Sequence, residues 1–164
     1  MKIEKELEQI LNEQIMHEFE AAYTYLGLST ALNDAGFPGF SHWMRKQYEE
    51  ELTHAMKIID YIQERGGSVK FQSFECPNYT LNCPCEAFKA AYEHEIKNTK
   101  YIHAAYALAL KMNDYPTQTF LQWFINEQVE EEANCQNYLQ QIERAASKQC
   151  LCSMMALDHQ AGKR

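Results

Sequence analysis

The chain has 164 residues, a net charge of −8 and 46% hydrophobic residues, with only six glycines and four prolines. This length suits one domain with a sizeable core, here residues 1–164, and the composition excludes a disordered or fibrous chain. The acidic balance argues against nucleic acid and against an anionic membrane as partners. No apolar run approaches the roughly 20 residues of a membrane span, and the charged first residues lack a secretory apolar segment. We therefore expect a cytoplasmic protein.

Apolar residues recur at spacings of three and four along most of the chain, which is the pattern of amphipathic helices. They predict four long helices, at about residues 4–34, 38–65, 86–112 and 116–146. Gly66-Gly67 stops the second helix, while Pro38 and Pro116 stand where a first helical residue is expected. The pattern therefore predicts an all-α protein with a bundle over about residues 4–146.

The segment 68–85 contains Pro77 and Pro84 and has no helical period. Connections inside compact helical domains are usually shorter, so this one is long enough to cross the bundle and to join two parallel helices. A short apolar stretch from Leu151 to Ala156 predicts a fifth helix at about 150–160. Together these features predict a four-helix bundle with a long crossover and a short fifth helix.

The six cysteines are Cys76, Cys83, Cys85, Cys135, Cys150 and Cys152. Without an export signal, free thiols are expected rather than disulfides. The Cys-Pro-Cys and Cys-Leu-Cys pairs also lack the two-residue spacer of zinc knuckles and thioredoxin-like motifs. The sequence suggests no function for these cysteines.

Each predicted apolar stripe is interrupted near its middle by residues of the types that commonly act as metal ligands. They are Glu18 in the first helix, Glu51 and His54 in the second, Glu95 in the third, and Gln128 and Glu131 in the fourth. Residues three apart share one helix face, so Glu51 and His54 can reach the same cation. If the helices align at mid-length, these six side chains meet in one layer of the core.

Four buried carboxylates without partners would cost several kcal/mol each, and like charges so close would force protonation. Two divalent cations would remove both problems. Oxygen-rich ligation with one imidazole suits iron or manganese, and zinc fits as well. The pattern matches di-metal carboxylate bundles.

Taken singly, these features have simpler explanations. A Glu-x-x-His pair is common on solvated helix faces, and the acidic runs 49–51 and 130–132 are typical of surface charge. Tyr25 and Trp123 would ordinarily be packing residues. The coincidence of four interrupted stripes at compatible depth favours the metal site over a structural bundle with exposed carboxylates.

Further motifs accompany the layer. They are Asn12-Glu13-Gln14 before Glu18 and Tyr25, Glu50-Glu51-x-x-His54, Glu95, Phe120-Leu121-Gln122-Trp123, and Glu127-Gln128-x-Glu130-Glu131. Over about residues 5–145 this set resembles the non-haem ferritins of bacteria. The resemblance implies iron storage in a 24-subunit homo-oligomeric shell, with ferroxidase activity on iron(II) and dioxygen as substrates.

The resemblance also implies particular roles for residues. One iron would bind Glu18, Glu51 and His54, and the other would bind Glu51, Glu95 and Glu131, so that Glu51 bridges the di-iron centre. Gln128 would lie beside the second iron, and Tyr25 would be a candidate electron donor. A third iron position on the cavity side would be formed by three acids, Glu50, Glu127 and Glu130.

Differences between this sequence and three related families narrow the predicted family and its metal and haem binding. Bacterioferritins and rubrerythrins carry a second Glu-x-x-His motif on the last helix, which this chain lacks. Bacterioferritins also bind haem through a methionine next to the second-helix glutamate, whereas Leu52 stands here, so no haem is expected. Animal ferritins line a three-fold pore with acids near the start of the fourth helix. The stretch 117–121 has none, which argues against iron entry by that route.

One enzymatic alternative shares the metal layer. A di-iron oxidase or peroxidase of the ferritin-like superfamily would oxidise substrates at the same carboxylates without forming a shell or storing iron. Iron loading beyond two or three ions per subunit separates storage from that alternative.

Overall fold

The computed structural model describes residues 2–164, and this range contains five helices and no strand. The helices are α1 (Lys5–Asp34), α2 (Pro38–Glu64), α3 (Pro84–Lys111), α4 (Tyr115–Ser147) and α5 (Leu151–Ala161). The predicted all-α bundle with a fifth helix is confirmed. Helix α3 begins earlier than predicted, because Pro84 takes a first-turn position, where its missing N–H costs nothing.

The tight connections use residues suited to them. Gly36 between α1 and α2 has φ +84°, a backbone conformation that glycine adopts without strain. Between α3 and α4, the Asp114 carboxylate accepts a hydrogen bond from the Thr117 N–H at 3.0 Å and so caps α4. Arg65 donates to the same carboxylate at 2.8 Å, which fixes the end of α2 beside the start of α4.

The crossover lies along α1. Near its beginning, the Asn12 side chain donates to the Ser68 carbonyl at 3.0 Å and accepts from the Lys70 N–H at 2.6 Å. Further along, Gly27 faces Pro77 so closely that a Cβ on the glycine would lie 3.0 Å from the proline carbonyl oxygen. The segment therefore returns along α1 to the end of the bundle where α2 began, so α2 and α3 run parallel, as predicted.

Two apolar clusters fill the bundle, one toward each end. The Phe40 cluster comprises Tyr25, Leu28, Leu32, Phe40, Trp43, Met44, Ala87, Phe88, Ala91, Cys135, Ile142, Ala145, Met154 and Ala161. The Leu11 cluster comprises Ile3, Leu7, Leu11, Ile15, Ile58, Ile59, Ile62, Ile102, Ala105, Ala109, Leu121 and Phe124. Between these two clusters lie buried side chains of metal-ligand type from all four long helices: Glu18, Glu51, His54, Glu95, Gln128 and Glu131.

Two cysteines depart from the expectation of free thiols. Cys83 and Cys85 form a disulfide at the start of α3, so that prediction is wrong for this pair. The reason is local geometry: the extended backbone of Cys83 leads directly into the helix, and the two Cα atoms lie 5.3 Å apart, within bridging distance. The other four cysteines carry free thiols.

Within residues 2–164, none of the helices combines the length and the apolar character that crossing a bilayer requires.

Candidate metal centre

The predicted ligands meet at mid-bundle, and we call them the acid layer: Glu18, Glu51, His54, Glu95, Gln128 and Glu131. Glu18, Glu51 and Glu95 are fully buried, and the other three are at most 4% exposed. Every long helix contributes at least one of them, between the Phe40 cluster and the Leu11 cluster. The alignment of stripes that the sequence predicted is therefore present in the structure.

Three members converge tightly. One ligand atom each from Glu18, Glu51 and His54 lies within 4.8 Å of the others, and this is the one such group of His, Cys, Asp or Glu in residues 2–164. The His54 Nδ1 atom lies 3.2 Å from Glu51 Oε2 and 3.9 Å from Glu18 Oε2. The imidazole packs edge-on against Trp123, with ring centroids 5.3 Å apart, which holds it toward the carboxylates.

Glu51 lies at the middle of the layer and is the least satisfied of its carboxylates. Its Oε1 atom is buried and has no hydrogen-bond partner. Burial raises the pKa of Glu51 well above its ordinary value, and the charges of Glu95 and Glu18 raise it further. An unpartnered buried carboxylate oxygen among other carboxylates is the group that a divalent cation would stabilise.

Neutral amides hold Glu18 in place. Gln14, one turn earlier on α1, donates to Glu18 Oε1 at 2.7 Å, and its amide also donates to the Asn98 side chain at 2.7 Å. Because these partners carry no charge, they orient Glu18 without neutralising it.

The Glu95 carboxylate is also held by neutral donors. The Tyr25 hydroxyl donates to Glu95 Oε1 at 2.5 Å, and the Gln128 amide donates to Glu95 Oε2 at 3.0 Å. Burial raises the pKa of Glu95 to about 7, although both hydrogen bonds act to lower it. Tyr25 is fully buried, and its hydroxyl lies 3.5 Å from the Cys135 thiol, so it contacts the layer from the Phe40 cluster.

Glu131 completes the layer from α4. Burial raises its pKa to about 8, and the charges of Glu95 and Glu50 add to that rise. The Gln47 amide donates to Glu131 Oε2 at 2.6 Å. Glu95 and Glu131 therefore lie at the layer, but they stand apart from the tight group of Glu18, Glu51 and His54.

The predicted third position lies at the edge of the bundle. The Glu50 side chain is 44% exposed and forms an ion pair with Arg164 at 2.8 Å. Glu127 is half-buried and lies one turn before Glu131 on α4, whereas Glu130 is exposed. Their ligand atoms do not form a tight group with Glu50 among the described residues, so the third position stays a prediction.

Sequence reasoning did not assign roles to Gln14, Asn98, Gln47 or Arg164. Three of them had a usable signal, because helical spacing puts them on the ligand faces: Gln14 precedes Glu18 by four residues, Gln47 precedes Glu51 by four, and Asn98 follows Glu95 by three. Arg164 had none, because its contact with Glu50 joins residues 114 apart in the chain.

The layer can bind hard or borderline divalent cations. Its donors are carboxylate oxygens and one imidazole nitrogen, a set that suits iron, manganese or zinc. The raised pKa values of Glu95 and Glu131 mean that cation binding would displace protons from these groups. A four-helix bundle with a crossover and a buried layer of metal-ligand residue types places the protein in the class of carboxylate-rich helical bundles.

Comparison with known proteins identifies the family within that class. The profile of the ferritin-like domain matches residues 8–145. A bacterial non-heme ferritin of Bacteroides fragilis is 37% identical over 162 residues, which is 99% of each chain. One from Staphylococcus haemolyticus is 34% identical over 142 residues, covering 87% of this chain and 86% of the relative. The chain belongs to the ferritin family.

Solved structures agree with this assignment. The open-pore ferritin of the hyperthermophilic archaeon Archaeoglobus fulgidus superimposes with a TM-score of 0.95 at 38% identity, covering 99% of both chains. A closed form engineered from the same archaeal ferritin superimposes with a TM-score of 0.96. The predicted resemblance to ferritins and the predicted fold are thereby confirmed.

Proposed function

We propose that this protein stores iron and that it oxidises iron(II) with dioxygen at the acid layer before storage. One observation carries the proposal: Glu18, Glu51 and His54 offer three ligand atoms within 4.8 Å of one another in the buried centre of a ferritin bundle. The shared family with bacterial non-heme ferritins supports the same function.

The first iron(II) ion would bind at the tight group, with Glu51 positioned to bridge to a second ion. The second would bind Glu51, Glu95 and Glu131, beside the Gln128 amide. Binding there requires Glu95 and Glu131 to lose protons. The hydrogen bonds from Tyr25 and Gln47 favour the ionised carboxylates that would bind the cation.

Oxidation then follows by electron transfer to dioxygen. Each iron(II) ion would give one electron, so a pair of ions supplies two electrons, which with two protons from solvent reduce one dioxygen to hydrogen peroxide. The protein sets the ligand geometry that keeps the ions adjacent. Tyr25 is placed to supply a further electron to the same oxidant, with loss of its hydroxyl proton, because that hydroxyl contacts a ligand of the second iron at 2.5 Å. The closed apolar clusters on both sides limit access of water to the layer.

Storage requires assembly, because one bundle encloses no space for a mineral. We propose a 24-subunit shell, which the superposition on the archaeal ferritin supports. Oxidised iron would pass to the interior by way of Glu50, Glu127 and Glu130 and hydrolyse there to a ferric oxyhydroxide. The proposed site requires no haem, and a cytoplasmic location remains a prediction of the sequence.

Aerobic iron uptake followed by size-exclusion chromatography tests the proposal. The metal-free protein receives several hundred iron(II) ions per 24 subunits, oxidation is followed by absorbance, and iron is assayed in each fraction. We expect a rapid oxidation phase and iron that co-elutes with a particle of shell size.

Two outcomes would contradict this function in different ways. Rapid oxidation with precipitated iron and a small particle would indicate a di-iron oxidase that does not store iron. Iron(II) oxidation no faster than in buffer alone would show that the acid layer is not a catalytic site.

A further inference from the structure

Helix α5 is docked on the start of α2 by close backbone packing. A Cβ built on Gly39 would lie 1.7 Å from the Asp158 carbonyl oxygen, so only glycine permits this approach. The Asp158 carboxylate also accepts from the Phe40 N–H at 2.8 Å. Beyond α5, the Arg164 carbonyl lies 3.1 Å from His42 Nε2, so the chain continues along α2.

This docking places the Arg164 guanidinium over one face of α2. It donates to Glu50 Oε2 at 2.8 Å and to the Gln47 side-chain oxygen, and it stacks over Trp43 with Cζ 4.9 Å from the ring centroid. Trp43, Gln47 and Glu50 are spaced by four and three residues, so they form one continuous stripe. The Arg164 side chain is 29% exposed and is therefore largely fixed against the protein.

Arg164 thus lies between the acid layer and the proposed third iron position. The side-chain oxygen of Gln47 accepts a hydrogen bond from Arg164. The nitrogen of the same amide donates a hydrogen bond to Glu131 at 2.6 Å. On its other side, the guanidinium neutralises Glu50, which is a predicted ligand of the third iron. A carboxylate paired with a guanidinium attracts a metal ion less strongly, because the positive charge of the guanidinium already offsets its negative charge and repels a second cation.

We propose that Arg164 is a resident cation of the third position, which competes with metal ions for Glu50. This rests on the proposed third position at Glu50, Glu127 and Glu130. When no metal ion is bound there, Arg164 offsets the negative charge of Glu50 and fixes the orientation of Gln47. When a metal ion binds, the guanidinium leaves Glu50. The competition keeps metal binding at this position weak, so that iron passes through it toward the interior rather than remaining.

Calorimetric titration with zinc(II) tests the proposal without any redox step. The Arg164→Gln variant keeps hydrogen-bond donors near Gln47 and Glu50 but removes the charge, while Lys163→Gln removes the same charge from the exposed neighbouring residue. We expect Arg164→Gln to tighten the zinc site that depends on Glu50 by roughly threefold to tenfold, because the ion pair is partly exposed. Lys163→Gln should leave that affinity within about twofold of the unaltered protein.

A double-mutant cycle assigns the effect to Glu50. In a Glu50→Gln background, adding Arg164→Gln should change zinc binding no further. If Arg164→Gln fails to fold, Arg164→Lys replaces it; that variant keeps the charge but loses the planar contact with two partners, and should tighten the site about twofold.

Three results would overturn the proposal: unchanged or weaker zinc binding in Arg164→Gln, an equal effect in the Glu50→Gln background, or no Glu50-dependent zinc site in any variant. Failure of the proposed function is distinguishable from these. It would appear as absent iron oxidation and uptake in the unaltered protein, which the zinc titration does not measure.

Discussion

The acid layer and the two apolar clusters that flank it are equally buried but are stabilised differently. Leu11 and Phe40 are each fully buried among apolar side chains, where burial itself is favourable. In the layer, burial raises the pKa values of Glu51, Glu95 and Glu131. The clusters therefore hold the bundle together, while the layer costs stability until its charges are matched by cations.

The difference shows how one fold combines a rigid scaffold with a candidate metal site. Packing of the clusters fixes the four helices, and the helices in turn force ligand residues together that would repel one another in water. Neutral partners such as Gln14 and Tyr25 reduce the cost without supplying a permanent positive charge. Substitutions in the two regions should therefore have opposite consequences for function and for stability.

Among these variants, Glu51→Ala is expected to have the largest effect on the rate of iron(II) oxidation. This change removes the proposed bridging ligand and should slow rapid iron(II) oxidation by about a hundredfold or more, since both metal positions lose a carboxylate. The metal-free bundle should stay folded or gain stability, because a buried like charge is removed. Stopped-flow absorbance and thermal unfolding measure the two properties.

Glu49→Ala is the matched control for that variant. Glu49 is exposed and pairs with Lys46 on the surface, two residues before Glu51. Oxidation by this control should equal that of the unaltered protein. An unchanged rate of iron(II) oxidation in Glu51→Ala would show that Glu51 is not part of the oxidation site.

A core truncation in the Leu11 cluster should have the reverse effect. Leu11→Ala removes a fully buried side chain and should destabilise the bundle by about 2–5 kcal/mol. Because Leu11 lies two helical turns from Glu18, the oxidation rate per folded subunit should change by less than about twofold. A lowered melting temperature together with a large loss of oxidation rate would contradict the separation of the two regions.

The pH dependence of the metal-free protein should reveal the layer directly. Glu95 and Glu131 have pKa values raised to about 7 and about 8, so between pH 5 and pH 8 the folded chain binds more protons than the unfolded chain. Their contribution to stability is therefore greatest at low pH and is lost as pH rises through those values. We expect the melting temperature to fall over this interval.

Zinc provides the control for this pH dependence. Binding should release protons at pH 6, at least one per subunit, and fewer at pH 8.5, because Glu95 and Glu131 must ionise to become ligands. Calorimetry in two buffers with different ionisation enthalpies measures the number. Proton release that does not change with pH would show that these carboxylates are already ionised.

The smallest effect is expected from Tyr25→Phe, and it concerns the affinity of the second metal position. This change removes the hydroxyl that donates to Glu95 and should raise the pKa of Glu95 further, since that hydrogen bond lowers it. Zinc binding at the second position should weaken by about tenfold at pH 7, the scale of a hydrogen bond to a charged group. Binding at Glu18, Glu51 and His54 should be unaltered, and equal weakening at both positions would indicate a general structural effect.

The sequence predicted the scaffold and the acids of the layer, but not the contacts that hold the acids. Helical periodicity identified the four long helices, and the interruption of each stripe identified Glu18, Glu51, Glu95 and Glu131. These positions are visible because a charged residue within an apolar stripe violates the expected pattern. The crossover was equally visible, since proline and the lack of a period exclude a helix over most of it.

The remaining features depend on contacts that no local pattern encodes. Helical spacing puts Gln47 and Asn98 on the faces of Glu51 and Glu95, but only the packed bundle shows that they bond to Glu131 and Glu18 on other helices. Arg164 meets Glu50 only because Gly39 lets α5 approach α2. The prediction of free thiols was wrong for Cys83 and Cys85, because it rested on the expected cellular compartment and not on the distance between the two residues.

The most direct test is a crystal structure of the metal-free protein soaked anaerobically with iron(II), with anomalous diffraction recorded at the iron edge. We expect two iron peaks in the layer, about 3.5–4 Å apart as in two-metal sites. One would contact Glu18, Glu51 and His54, and the other would contact Glu51, Glu95 and Glu131. A single peak, or iron bound only at surface carboxylates, would contradict a di-iron centre in this bundle.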